Sequence, residues 1–235
     1  MDKKAFRQFS YGLYLVTATN AKGRHMGCVI NTAEQVTSNP YRVLFTLNKD
    51  NATCEAVQQS GRLAITILNQ KANMDLIGTF GFKTSTEVNK FINFDMRRID
   101  GLPWVADAAA SVLVCKVESM VDAGTHKVFI AEVEDAEVVD AETPLLTYDY
   151  YHTVLKGTTP PKASSFVDEL PSAADAQPAD AQPATEAEPA AEKPVLHHFR
   201  CMLCGYVHET TDEELPATFS CPRCGVPRDC FQKID

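Results

Sequence analysis

The chain has 235 residues, an ordinary apolar fraction of 45% and a formal charge of −9. That charge argues against nucleic acid and anionic membrane surfaces as partners. No apolar run approaches the roughly 20 residues a bilayer span needs. Lys3 and Lys4 precede the apolar stretch Tyr11 to Val16, which is too short for a secretory core and reads as a strand. A cytoplasmic location is therefore expected, and there the eight cysteines point to metal ligands or free thiols, not disulfides.

Along the chain the first 165 residues read as mainly β. Strands are expected at Leu13–Ala18, Met26–Ile30, Val43–Leu47, Arg62–Leu68, Ser111–Ser119 and Lys127–Val138. Asn20 to Gly23 and Asp100-Gly101 suit turns. Short helices are expected at Asn51–Ser60, with Asn51 as cap and Gly61 just past the end, at Asn73–Ile77, and at Ser85–Phe91. Many strands with few short helices suggest a barrel. No dinucleotide fingerprint and no Walker loop occurs. The polar run Asn31 to Pro40 lies between two apolar strands, and Asn48 to Thr53 lies where a strand meets a helix start. Free backbone N–H groups at such a start attract phosphate, and Lys49 and Thr53 would strengthen that. On these residues alone an ordinary capped helix with solvated polar residues is the favoured reading. Cys28, Cys54 and Cys115 are expected to pack as small apolar residues, and Trp104 as a packing anchor. Tyr148, Tyr150 and Tyr151 suggest a surface or dimer contact without catalysis.

Residues 166–196 differ in kind. Between Pro171 and Pro194 stand five prolines, nine alanines, five acids and one lysine, with Ala-Asp-Ala-Gln-Pro repeated at 174–183. Such a stretch cannot bury enough apolar surface to offset its ordering entropy. It reads as an acidic tether, about 75 Å fully extended and nearer 30 Å as coil. The architecture is thus a domain at 1–165, a tether at 166–196 and a small domain at 197–235.

The small domain carries the strongest signal. Cys201-x-x-Cys204 and Cys221-x-x-Cys224 place four thiolates around one ion. Four sulfurs suit zinc or iron, and this spacing alone is usually read as zinc. Gly205 and Gly225 follow the second cysteine of each pair, where tight turns let backbone N–H groups face sulfur. Phe199, Tyr206, Phe219 and Phe231 supply an aromatic shell, which favours a redox iron. A domain this small also needs a metal staple. Cys230 is read as a non-ligand, and His197 and His198 as tether residues, because four thiolates already fill a tetrahedron.

Two resemblances sharpen this reading. Gly12 with Leu13–Ala18, Asn31-Thr32 to Pro40, Leu47-Asn48-Lys49 to Thr53, Gly78 to Phe91, Gly101-Leu102-Pro103 and Gly124-Thr125-His126 resemble, in order, the flavin reductase-like family. That likeness implies a split β-barrel homodimer with FMN near its interface. It implies contacts to the flavin ring from Asn31, Thr32, Ala33, Glu34 and Thr37, and counts Asn48 among the cofactor-binding residues. It implies phosphate contacts near Lys49, Thr53, Ser85 and Lys90, with His126 as a flavin or nicotinamide contact. Many members have Gly-Asp-His where this chain has Gly-Thr-His. Cys201-x-x-Cys204-Gly205-Tyr206, Leu215-Pro216, Phe219-x-Cys221-Pro222-x-Cys224-Gly225-Val226 and Asp229-x-Phe231 resemble rubredoxin, with the short inter-pair loop of the rubrerythrin modules. That likeness implies one iron on Cys201, Cys204, Cys221 and Cys224.

Together the two parts resemble the high-molecular-weight rubredoxins of anaerobic bacteria. The arrangement implies electron flow from NAD(P)H through FMN to iron, and on to a flavodiiron protein that reduces oxygen or nitric oxide. Two other readings stay open: a flavin reductase with a structural zinc ribbon as a docking tag, and a binding protein without enzymatic activity.

Overall fold

The computed structural model describes residues 2–166, 197–203, 206–216, 219–222 and 226–234. Residues 167–196 of the tether, Cys204 and Cys224 lie outside these residues.

The large domain is built on one antiparallel sheet of seven strands. In chain order these are β1 (Tyr14–Thr19), β2 (His25–Ile30), β3 (Ala33–Ser38), β4 (Tyr41–Asn48), β5 (Arg62–Leu68), β8 (Ala109–Asp122) and β9 (His126–Val138). They lie in the order β2-β1-β5-β8-β9-β4-β3. β2 and β3 stand at opposite ends of the sheet, yet only Asn31 and Thr32 join them. Three peptide steps reach about 10 Å. The sheet must therefore roll until its two ends nearly meet, and the barrel is split where Asn31 and Thr32 sit.

Side-chain alternation fills the barrel. β4 buries Val43, Phe45 and Leu47 on one face. Phe45 stacks on Phe129 across the β4–β9 pair, with ring centres 5.0 Å apart. Helix α1 (Ala52–Ser60) adds Cys54, Ala56 and Val57 to that core. Asn51 caps α1 by accepting from Thr53 N at 2.9 Å, and Gly61 ends it in a left-handed conformation at φ 65°. Helix α2 (Met74–Phe82) packs Leu76, Ile77 and Phe80 in a second cluster, together with Tyr151 of helix α3 (Tyr148–Thr153).

The expected strands and α1 are all present. The rest shows where local signals fell short. β3 occupies part of the polar run because an edge strand is mostly solvent-facing and needs no apolar alternation. The Asp100-Gly101 turn joins a hairpin, β6 (Met96–Ile99) and β7 (Leu102–Val105), which lays Trp104 against the sheet at 3% exposure. α2 runs five residues beyond the expected Ile77.

The helix expected at Ser85–Phe91 is replaced by turns. Ser85 Oγ and Lys90 Nζ both bond the backbone of Gly27 in β2, and these tertiary bonds override local propensity. The tyrosines are also corrected: Tyr151 is a core residue at 2% exposure, and Tyr148 bonds toward the cavity described below.

In the small domain β10 (His197–Cys201) pairs with β11 (Val207–Thr210) and β12 (Phe231–Lys233). His197 and His198 are thus strand residues and not tether. Among the described residues no helix is long and apolar enough to cross a membrane.

Candidate flavin cavity and metal knuckles

A cavity of about 750 Å³ opens at the split of the barrel. That size suits a cofactor. Its walls are the ends of β2 and β4, the start of α1, the end of α2, His126 at the head of β9, and Tyr148 and Tyr151 of α3. Strand ends and a helix start converge there because the rolled sheet brings both of its edges to one place.

A strap, residues 157–166, lies over this site. Asn31 Nδ2 donates to Ser165 Oγ at 2.7 Å, and Ser164 Oγ donates to Asn31 Oδ1 at 3.1 Å. Thr32 Oγ1 lies 3.0 Å from Ser164 Oγ, and Asn48 Nδ2 donates to Lys162 O at 3.0 Å. Ser165 Oγ also donates to the Tyr148 hydroxyl at 3.0 Å, and Tyr148 bonds Thr159. His126 is half-buried here. Burial lowers its pKa, and a hydrogen bond with the Lys162 backbone opposes that.

Of the expected flavin residues, Asn31, Asn48 and His126 line the cavity, and Thr32 sits at its rim beside Ser164. Ala33, Glu34 and Thr37 run along edge strand β3, away from the cavity wall. Lys49 is paired with Asp122. Thr53, Ser85 and Lys90 are buried at 0%, 3% and 3% exposure. The strap itself was missed. Its Gly-Thr-Thr-Pro-Pro-Lys-Ala-Ser-Ser run, just after the last helix of the domain, is the signal that marks it.

The donor set fits a flavin phosphate at one end. Thr53 Oγ1 is buried in the first turn of α1 with only the weak Cys28 thiol beside it. A buried hydroxyl in that state costs about 1–3 kcal/mol, and an acceptor at the helix start would relieve it. The ring end fits as well, because Ile30, Leu47, Ile77 and Phe82 make its wall mainly apolar.

Beneath the cavity, Lys90 Nζ donates to Gly27 O at 2.8 Å and Phe80 O at 3.2 Å. Burial lowers its pKa from 10.5 to about 8. Between those values the unfolded chain holds a proton that the folded chain has released. Stability should therefore rise with pH across that window and fall as pH drops through it. Lys90→Met is expected to remove up to about 1.4 kcal/mol of stability change per pH unit between pH 8 and 10. Urea unfolding of flavin-free protein at several pH values would check it, and parallel profiles for the two chains would refute it. Burial also pushes the thiols of Cys28 and Cys115 up, to about 11 and about 12. They are packing residues and not nucleophiles.

In the small domain two loops close in the same way. Cys201 N donates to Tyr206 O at 2.7 Å, and Cys221 N donates to Val226 O at 2.8 Å. Each loop spans one Cys-x-x-Cys pair. Cys201 and Cys221 are buried at 0% and 2% in one apolar cluster with Leu203, Tyr206, Val226 and Phe231. Cys204 and Cys224 lie outside the described residues, and among those described no group of three or more metal-ligating side chains gathers. Two buried cysteines on matched loops fit half of a four-thiolate site. The Cys230 carbonyl accepts from Met202 N at 2.7 Å, so its backbone braces the first loop.

Comparison with known proteins agrees with both halves. The flavin reductase like domain family matches residues 6–155, and the rubrerythrin, rubredoxin-like domain matches residues 199–232. The chain is 34% identical over the whole length of both proteins to the high molecular weight rubredoxin of Moorella thermoacetica. It is 42% identical to the ferric-chelate reductase (NAD(P)H) of Archaeoglobus fulgidus, over 71% of this chain and 98% of that one. Among solved structures, a homologue of nitrilotriacetate monooxygenase component B from Mycobacterium thermoresistibile matches with a TM-score of 0.56 at 26% identity. That match covers 62% of this chain and 79% of that one. These matches set aside the reading as a binding protein without enzymatic activity. The chain belongs to the flavin reductase-like family, carries a rubredoxin-like domain after that fold, and is an electron-transfer oxidoreductase.

Proposed function

We propose that the chain takes electrons from NAD(P)H into FMN, passes them to one iron on Cys201, Cys204, Cys221 and Cys224, and delivers them to an acceptor protein. The observation that carries this reading is the joining, in one chain, of a cavity at a barrel split with two matched cysteine loops. Bound flavin would supply a two-electron store that empties one electron at a time, and bound iron a one-electron carrier. The chain's own residues bind and orient. Asn31 and Asn48 offer amide groups at the cavity wall, and His126 offers a neutral ring nitrogen. The head of α1 with Thr53, and Lys49 once released from Asp122, would hold phosphate. Thr32 adds to the proposed contact region at its rim, Ser85 and Lys90 brace its base through the backbone of Gly27, and Ala33, Glu34 and Thr37 are proposed as contacts from edge strand β3 outside the cavity wall.

A homodimer is part of the proposal. Edge strand β3 leaves one side unpaired, with Val36 and the adjoining Tyr41 exposed. Such an edge invites a second copy. The outside acceptor is proposed as a flavodiiron-type protein, on the strength of the likeness to high-molecular-weight rubredoxins.

NADH added to anaerobic protein purified without reconstitution should bleach the flavin first and the ferric-thiolate absorption second. Two irons should be reduced per NADH oxidised, with release of one proton. Flavin bleaching with iron left oxidised would sink the relay. A colourless protein holding zinc would instead favour a flavin reductase with a structural docking ribbon.

A further inference from the structure

We infer that the small domain seats its two cysteine loops on the mouth of the flavin cavity, around Phe82. The same loop face must also meet any outside acceptor, so the two occupancies exclude each other. This deepens the relay reading and rests on it for the direction of electron flow.

Phe82 ends α2 and is only 9% exposed. A large aromatic at a helix end needs a cover, and its cluster partners are Cys201 and Cys221. Independently, the cavity wall is completed by Met202 and Leu203 of the first loop and by Val226 and Pro227 of the second. Both loops thus present their apolar rims to the flavin site. Met202 directly follows Cys201, and Val226 accepts the backbone bond of Cys221. Among the described residues these rims adjoin the buried Cys201 and Cys221.

Electron tunnelling weakens steeply with distance, so an acceptor must approach that rim too. Elsewhere, among its described residues, the module exposes the acids Glu209, Asp212, Glu213 and Glu214, with Val207 and Ile234 as scattered aliphatics. The seat is also small, because Met202 remains 61% exposed. A contact this slight is reversible on its own, and the tether supplies the local concentration that fills it. One hydride carries two electrons and a four-thiolate iron takes one. Each nicotinamide turnover therefore requires two seatings, each followed by a departure.

Hydrogen exchange on the full-length, metal-loaded protein tests the seat without relying on electron transfer. Phe82→Lys and Met202→Glu should each speed amide exchange across residues 81–84 at least fivefold. The double variant should restore part of the protection through the new Lys–Glu attraction, which a misfolded chain would not do. Unchanged exchange in both single variants would overturn the seat. For exclusion, iron prereduced with dithionite in the Phe82→Lys chain, whose module is unaltered, should reduce cytochrome c at least threefold faster than wild type. Equal rates would overturn exclusion. Protection at 81–84 with no reduction of iron by NADH would leave the seat standing and refute the relay.

Discussion

Cys201→Ser is expected to lower the ferric-thiolate absorption below a tenth of wild type and to abolish the second kinetic phase. Flavin content and the first phase should persist. Cys201 is fully buried, and its backbone closes the first loop through Tyr206. A hydroxyl there is a harder and weaker ligand than a thiolate. The module has little else to hold it, since its described core adds only the buried Phe199 and Leu215 to the cluster of Cys201, Cys221 and four neighbours, with Phe82 from the barrel. In small metal domains the binding free energy of the metal is largely the folding free energy. The tether separates this loss from the barrel, whose own clusters do not include the module's cysteines. Iron counted per chain and anaerobic stopped-flow spectra decide the matter. One iron per chain with an intact second phase would refute the assignment of Cys201.

Gly157→Ala is expected to weaken flavin binding by about 10- to 100-fold while the barrel stays folded. A Cβ at Gly157 would lie 2.0 Å from Cζ and 2.1 Å from Cε2 of Tyr151. Tyr151 cannot yield, because it is 2% exposed in the α2–α3 core and its hydroxyl donates to Thr158 O at 2.9 Å. The strap must lift instead. Overpacking of this kind costs about 1–3 kcal/mol, and each 1.4 kcal/mol is tenfold in affinity. Lifting the strap would release Asn31, Thr32 and Asn48 from Ser164, Ser165 and Lys162 together. Flavin fluorescence titration beside a thermal melt checks this. Wild-type affinity at a wild-type melting temperature would show that the strap does not order the site.

Much of the barrel is legible residue by residue. β4 and β5 declare themselves by buried apolar runs, α1 by Asn51 and Gly61, and the β6–β7 turn by Asp100-Gly101, both at positive φ. The elements that escape reading share a cause: their conformation answers to distant partners. β3 is polar because it is an edge. Ser85 and Lys90 leave helical geometry to reach Gly27, some sixty residues earlier. Tyr148 and Tyr151 look like surface aromatics until the strap and α2 cover them.

The two-domain plan, the four-cysteine pattern and the polar segment at Asn31–Thr32 are readable from the residues in order, because spacing, composition and turn chemistry are local properties of a chain. Folding alone places β2 and β3 at opposite ends of one rolled sheet, which turns a two-residue connection into the mouth of a cavity. Folding also lays residues 157–166 across that mouth and brings Phe82 to the cysteine loops. Contacts between residues more than a hundred positions apart depend on how the sheet closes, and no local pattern encodes that closure.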